Sequence, residues 1–222
     1  TRFELSTDAI TLGEAAPLQK LTNFVVNLSK GPANEASQTL SFLVTPTSKS
    51  LYSALPTITP AGMLTFKTAT NAFGTDLVTV LLKDNGGTAN GGKDTSSVQT
   101  FSITVTPVND APVIGALKPV TMLEDRSTNV SFVLRDVDST IGDVTVTASS
   151  SNQYLVADDG LQVRGTGTNR TVSITPLLDA NGTTFIKLIA TDDQSGATTN
   201  GFLLTVTAVN DEPSFNLSTD LV

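Results

Sequence analysis

The residues of this chain best suited to chemistry are carboxylates, and they recur in short runs. Val-Asn-Asp-x-Pro stands in TPVNDAPVI (106–114) and again in TAVNDEPSF (207–215). Asp136 and Asp138 alternate in RDVDS, Asp192 and Asp193 adjoin in ATDDQSG, and Glu14 closes the first apolar run. The 222 residues include no His and no Cys. The commonest general base and the thiol nucleophile are therefore missing, as are the ligands that favour zinc or copper. A cluster of carboxylates with an amide instead suits a hard cation. Calcium takes 6–8 oxygen ligands in a flexible geometry, whereas magnesium demands a stricter octahedron. A glycosidase-like carboxylate pair, Asp136 with Asp192, is arithmetically available. Those acids recur at joints instead of lining an aromatic groove, aromatics are 5% and Trp is absent, so a non-enzymatic protein is expected.

These acids must be positioned by repeated elements. FSITVTPVND (101–110) aligns with FLLTVTAVND (202–211), and its Phe101, Ile103 and Val105 match Phe202, Leu204 and Val206. Apolar residues alternating with polar ones mark a strand with one buried face. Upstream, Val78, Val80 and Leu82 match Ile186, Leu188 and Ala190. A turn-rich segment joins the two strands in both copies, NGGTANGGKDTS and QSGATTNG, so each copy ends in a hairpin. RFELSTD (2–8) is echoed by SFNLSTD (214–220), which reads as the opening strand of another repeat in a longer array.

The expected organisation is two repeats, 1–110 and 111–211, followed by the first strand of a third at 212–222. Strands are predicted near 3–12, 21–28, 39–45, 51–58, 62–67, 76–83 and 97–106 in the first. In the second they fall near 113–122, 129–135, 143–149, 153–157, 160–164, 170–175, 183–191 and 200–208. Short strands with turn signals and no helical period read as all-β: two tandem seven-stranded Greek-key β-sandwiches of the immunoglobulin-like kind.

Alternating strand directions bring the loop holding Asp136 and Asp138 and the loop holding Asp192 and Asp193 to the pole beside Asn109 and Asp110. Glu14 is added from the end of the first strand. Like charges a few ångströms apart repel by several kcal/mol at an effective dielectric near 20, which a cation relieves. The plainer alternative is that Asn and Asp serve turns. Pro112 and Pro213 would then simply stiffen a metal-free linker. The net charge of -8 disfavours nucleic acid and anionic membrane as partners.

The order of an acid after the first strand, a Val-Asn-Asp-x-Pro joint, then Asp-x-Asp and Ala-x-Asp resembles the interdomain calcium scheme of cadherins. The wording of 55–112, and more loosely of 129–213, is closer to the cadherin-like tandem repeats of large bacterial surface proteins and adhesins. That resemblance implies calcium ligands at Glu14, Asn109, Asp110, Asp136, Asp138 and Asp192. It implies half of a second site at Glu124, Asn210 and Asp211, and Asp84 facing a joint before residue 1. The chain departs from cadherins where Pro107 takes the place of the first joint Asp. The final joint Asn is absent, and no acidic pair stands near ATNAFG (69–74). The implied function is extension and adhesion at a bacterial cell surface or in a secreted protein, with neighbouring repeats as partners. A module binding a surface protein or glycan, or a passive spacer in a secreted enzyme, is the alternative. DNGGTANGGKD (84–94) reads as a flexible hairpin loop.

Overall fold

The computed structural model describes residues 1–213, so the SFNLSTD segment lies outside the described residues. The chain divides into two compact units, Thr1–Val108 and a second that begins at Asn109. The first contains β1 (Arg2–Leu5), β2 (Ala9–Gly13), β3 (Gln19–Leu21), β4 (Val25–Ser29), β5 (Leu40–Pro46), β6 (Tyr52–Ile58), β7 (Leu64–Thr68), β8 (Gly74–Asp84) and β9 (Gln99–Thr106). The second contains β10 (Val113–Ile114), β11 (Val120–Leu123), β12 (Thr128–Arg135), β13 (Thr145–Ser150), β14 (Leu161–Arg164), β15 (Asn169–Ile174), β16 (Gly182–Thr191) and β17 (Ala197–Thr207).

Each unit is a sandwich of two sheets. One layer of the first unit is β2-β9-β8-β5, and opposite it lie β3-β7-β6 and a separate β1-β4 pair. The second unit repeats this as β11-β17-β16-β13 over β10-β12-β15-β14. The opening strand is split in both. Its first part pairs antiparallel, β1 with β4 and β10 with β12, and its second part crosses layers to run parallel, β2 with β9 and β11 with β17. Non-sequential neighbours of this kind make the Greek key.

Alternation decides which side chains meet. Val78, Val80 and Leu82 of β8 and Ile186, Leu188 and Ala190 of β16 are all fully buried. The same inward row begins and ends with a polar residue, Asp76 to Asp84 and Thr184 to Asp192. The first core is stapled by aromatics, with Phe24 edge-on to Phe101 at 4.8 Å between ring centres and Tyr52 edge-on to Phe66 at 6.2 Å. The second is largely aliphatic, built on Leu134, Ile174, Ile186, Leu188 and Leu204.

Three local expectations are corrected. No strand forms at 153–157: Leu155 and Val156 both donate to Asn152 O, at 3.2 and 3.0 Å, so this buried pair sits in a turn. The strand expected at 21–28 is broken into β3 and β4, because Asn23 adopts φ 56°, a left-handed conformation that Asn tolerates better than most residues. β17 starts at Ala197 and takes in ATTNG, which reads as turn. Gly201 fits there because a side chain would meet Ile186 O and the Phe185 ring that lies against it.

Candidate functional site

The end of β16 carries the anchor of the second unit's N-terminal pole. Asp192 closes an inward row, so the alternation that builds the core also buries this carboxylate, 6% exposed. Asn109 Nδ2 donates to its Oδ2 at 2.8 Å, while the N–H groups of Gln194 and Gly196 donate to Oδ1 at 2.9 and 2.7 Å. These donors, the Asn109 amide foremost, outweigh desolvation and hold Asp192 below the usual carboxylate range. A Cβ at position 196 would meet Asp192 Oδ2 and Asn109 Nδ2, so a side chain there would have to push this hydrogen-bonded pair apart.

One connected chain of contacts continues from there. Asp110 N–H donates to Asp138 Oδ2 at 2.7 Å. Asp136 Oδ1 accepts the N–H groups of Asp138 and Ser139 at 2.9 and 2.7 Å, and Ser139 Oγ donates to Asp193 Oδ1 at 2.7 Å. Asn109, Asp110, Asp136, Asp138 and Asp192 are thus brought together in one unit. Asn109 Oδ1 and Asp136 Oδ2 are buried without a hydrogen-bond partner. Buried acceptors are normally satisfied, and unpaired oxygens among carboxylates are the donor chemistry that calcium uses.

Glu14 belongs to the first unit. It is 6% exposed, its Oε1 accepts Val108 N–H at 3.1 Å, and its Oε2 is buried and unpartnered. Asp84, also 6% exposed, accepts Gly86 N–H at 2.8 Å.

The opposite pole of the second unit holds another acid group. Glu124, Asp125 and Asp211 each present a carboxylate oxygen within 4.8 Å of the others'. Glu124 is 4% exposed; its Oε1 accepts Val209 N–H at 2.6 Å and its Oε2 accepts Asn181 Nδ2 at 3.2 Å. Asp125 Oδ1 accepts Asp179 N–H at 3.0 Å. Desolvation, then the charges of Asp179, Asp125 and Glu124, push the Asp211 carboxyl above its ordinary range. Asn210 is exposed and its Nδ2 donates to Asp211 O at 3.2 Å. Glu124 and Asp211, expected half of a site, therefore meet, while Asp125 and Asp179 were missed. They stand in short turn sequences, Glu-Asp directly after β11 and Asp-Ala-Asn-Gly entering β16, where an Asp is equally expected as a turn former.

No protein-family model matches this chain, and no curated protein matches it with significance. Among solved structures it is similar to PcdhgB3 EC1-4, with a TM-score of 0.52 and 15% identity over 94% of this chain and 50% of that one. The fold is cadherin-like. Protocadherin Gamma B2 extracellular cadherin domains 1-5 follow at TM-score 0.48 and 18% identity, covering 94% of this chain and 40% of that one. Surface layer protein SbsC, domains 1-6, gives 0.37 and 17% identity over 81% of this chain and 22% of that one. The chain spans half or less of the length of each, and identities this low speak to the fold alone.

Proposed function

We propose that this chain is a non-enzymatic extension and adhesion module of a bacterial cell-surface or secreted protein, working outside the cell in tandem with neighbouring repeats. Calcium is its structural ion. At the N-terminal pole of the second unit the ion takes oxygens from Asn109, Asp110, Asp136, Asp138 and Asp192. At the opposite pole it takes them from Glu124 and Asp211, joined by Asp125, with Asn210 beside them. The observation that carries this reading is the pair of buried, unpartnered acceptors Asn109 Oδ1 and Asp136 Oδ2 within a network of carboxylates. An ion there fixes Asn109 and Asp110 to the second unit, which is how binding would rigidify an array.

The same hydrogen bonds also favour a second reading. Asp136, Asp138 and Asp192 already accept backbone N–H groups, so a metal-free joint or spacer is chemically coherent. Calcium titration of the full chain separates the two, alongside a variant carrying Asp136→Ala and Asp138→Ala. The calcium reading predicts that the double variant loses one class of binding heat and becomes more flexible by X-ray scattering in calcium while both sandwiches stay folded. Identical titrations and scattering would leave the metal-free reading.

A further inference from the structure

Arg170 is a buried charge that forms no ion pair among the described residues. It is 5% exposed at the start of β15, and among the described residues the recorded ion pair is Lys83 with Asp94. Its guanidinium is held entirely by main-chain carbonyls. Nη2 donates to Ile141 O at 2.6 Å and Thr166 O at 3.4 Å, and Nε donates to Gly167 O at 3.2 Å. Desolvation lowers its pKa. Arginine remains charged under such conditions, so burying one here is costly unless its donors are used.

The carbonyls it joins come from two places: the turn between β14 and β15, and the segment 136–144 that links β12 to β13. That segment is the one that carries Asp136 and Asp138. It has few other ties. Ile141 packs against the core and Val144 is buried, Asp143 N–H donates to Thr140 O at 2.8 Å, Ser139 reaches Asp193, and Asp138 accepts Asp110 N–H at 2.7 Å. Arg170 Nη2 makes the shortest of the bonds that join the segment to another strand or turn.

The first unit lacks both halves of this arrangement. Its segment after β4, 30–39, contains no aspartate. Its turn between β6 and β7 is held by main-chain bonds, Thr59 N–H to Met63 O at 3.0 Å, Gly62 N–H to Thr59 O at 2.8 Å and Val25 N–H to Gly62 O at 3.0 Å, with no arginine. The acid pair and the buried arginine occur together in one unit and are absent together from the other.

We infer that Arg170 is a positioning residue for the cation site, clamping the segment 136–144 so that Asp136 and Asp138 are held in place before an ion arrives. This rests on the calcium reading of that pole. Because guanidinium spans two carbonyl-bearing turns from a rigid strand, it preorganises ligands without touching the ion, as outer groups do around metal sites.

The test is Arg170→Met, which keeps an unbranched apolar stem and removes the donors, with Arg170→Lys as the conservative variant. In calcium-free protein, amide hydrogen exchange across 136–144 should quicken in Arg170→Met and be partly restored in Arg170→Lys. Calcium titration should then show affinity at the Asp136 and Asp138 site falling by about tenfold or more, with the Glu124, Asp125 and Asp211 site unchanged. Unaltered exchange in 136–144 would overturn the clamp whether or not calcium binds. Faster exchange with unaltered calcium affinity would overturn its role at the site. Should Arg170→Met not fold, the same two readouts on Arg170→Lys decide, since lysine cannot bridge both turns. A wild-type chain that binds no calcium would sink the calcium reading itself, and with it this role. The exchange data would still report on the clamp.

Discussion

The two units use one backbone to hold different polar residues. After the first-strand acid, Ala15 has φ 50° and Asp125 has φ 59°; before the long central strand, Asn71 and Asp179 both have φ 55°. Gly74 and Gly182 follow with φ 134° and 135°, a conformation that suits glycine. Even the linker contact repeats, Val108 N–H on Glu14 and Val209 N–H on Glu124. The pole is therefore a property of the fold, made by left-handed turns whether or not acids occupy them. What differs is charge: the second unit places carboxylates at both turn positions where the first has Ala and Asn. The crowding is an addition to a scaffold that stands without it.

A similar substitution occurs deeper in the fold. Asp76, fully buried at the head of the inward row of β8, accepts Tyr52 Oη at 2.6 Å, Thr47 Oγ1 at 2.6 Å, and the N–H groups of Thr47 and Ser48 at 2.8 and 2.7 Å. Burial alone would raise its pKa, but these bonds together lower it, and the Tyr52 hydroxyl is correspondingly pushed up by burial and by Asp76. Thr184 takes this place in β16 and gathers Ser150 Oγ, Ser151 Oγ and Asn152 N–H at 2.8, 3.1 and 3.0 Å. Both devices tie the chain leaving the neighbouring strand, β5 or β13, to the long strand, one with a charge and one without.

The largest effect should therefore come from unequal deletions at equivalent places. Asp76→Ala strands four donors in the first unit and should cost about 3–5 kcal/mol. Thr184→Ala should cost only about 1–2 kcal/mol. Denaturant unfolding of the two variants checks this, and equal losses would show that the charge adds nothing to the knot.

Next in size is a transplant. Ala15→Asp with Asn71→Asp gives the first unit the acids of the second at positions whose backbone accepts them, since Asp tolerates a positive φ better than Ala does. Thermal unfolding of this variant should gain a calcium-dependent rise of about 2–4 °C beyond that of the parent. A loss of stability with no calcium response would mean that the acids act only as turn formers.

The smallest effects are opposite responses to pH within the second unit. Asp192 has a lowered native pKa, so its contribution is present above the unfolded carboxylate value and is lost as pH falls through the lowered one. Asp192→Asn should flatten the acid limb of the stability curve. Asp211 has a raised native pKa, so its ionisation takes stability away as pH rises through that value. Asp211→Asn should then stabilise the calcium-free protein at neutral pH. Thermal melts across pH that moved in the same direction for both variants would contradict the two environments described here.

Period-2 alternation made the sheets legible from sequence, because each strand has one face on a core. The joint pole was legible too, since Asp192 ends such a row and Asn109 and Asp110 follow β9. Asp125 and Asp179 were not, because a left-handed turn gives no periodicity and Asp is common in turns for reasons unrelated to ions. Leu155 and Val156 misled for the same cause: two adjacent buried apolar residues fit a strand as readily as a turn folded onto the core.

The most direct test of the central claim is calorimetric unfolding of the full chain in calcium, in magnesium and in EDTA. Calcium at 100 times its dissociation constant adds about 2.7 kcal/mol to a unit that binds it only when folded. Calcium should shift the second unit's transition upward, and magnesium should not reproduce that shift. Superimposable transitions in all three conditions would contradict it and reduce these acids to turn formers.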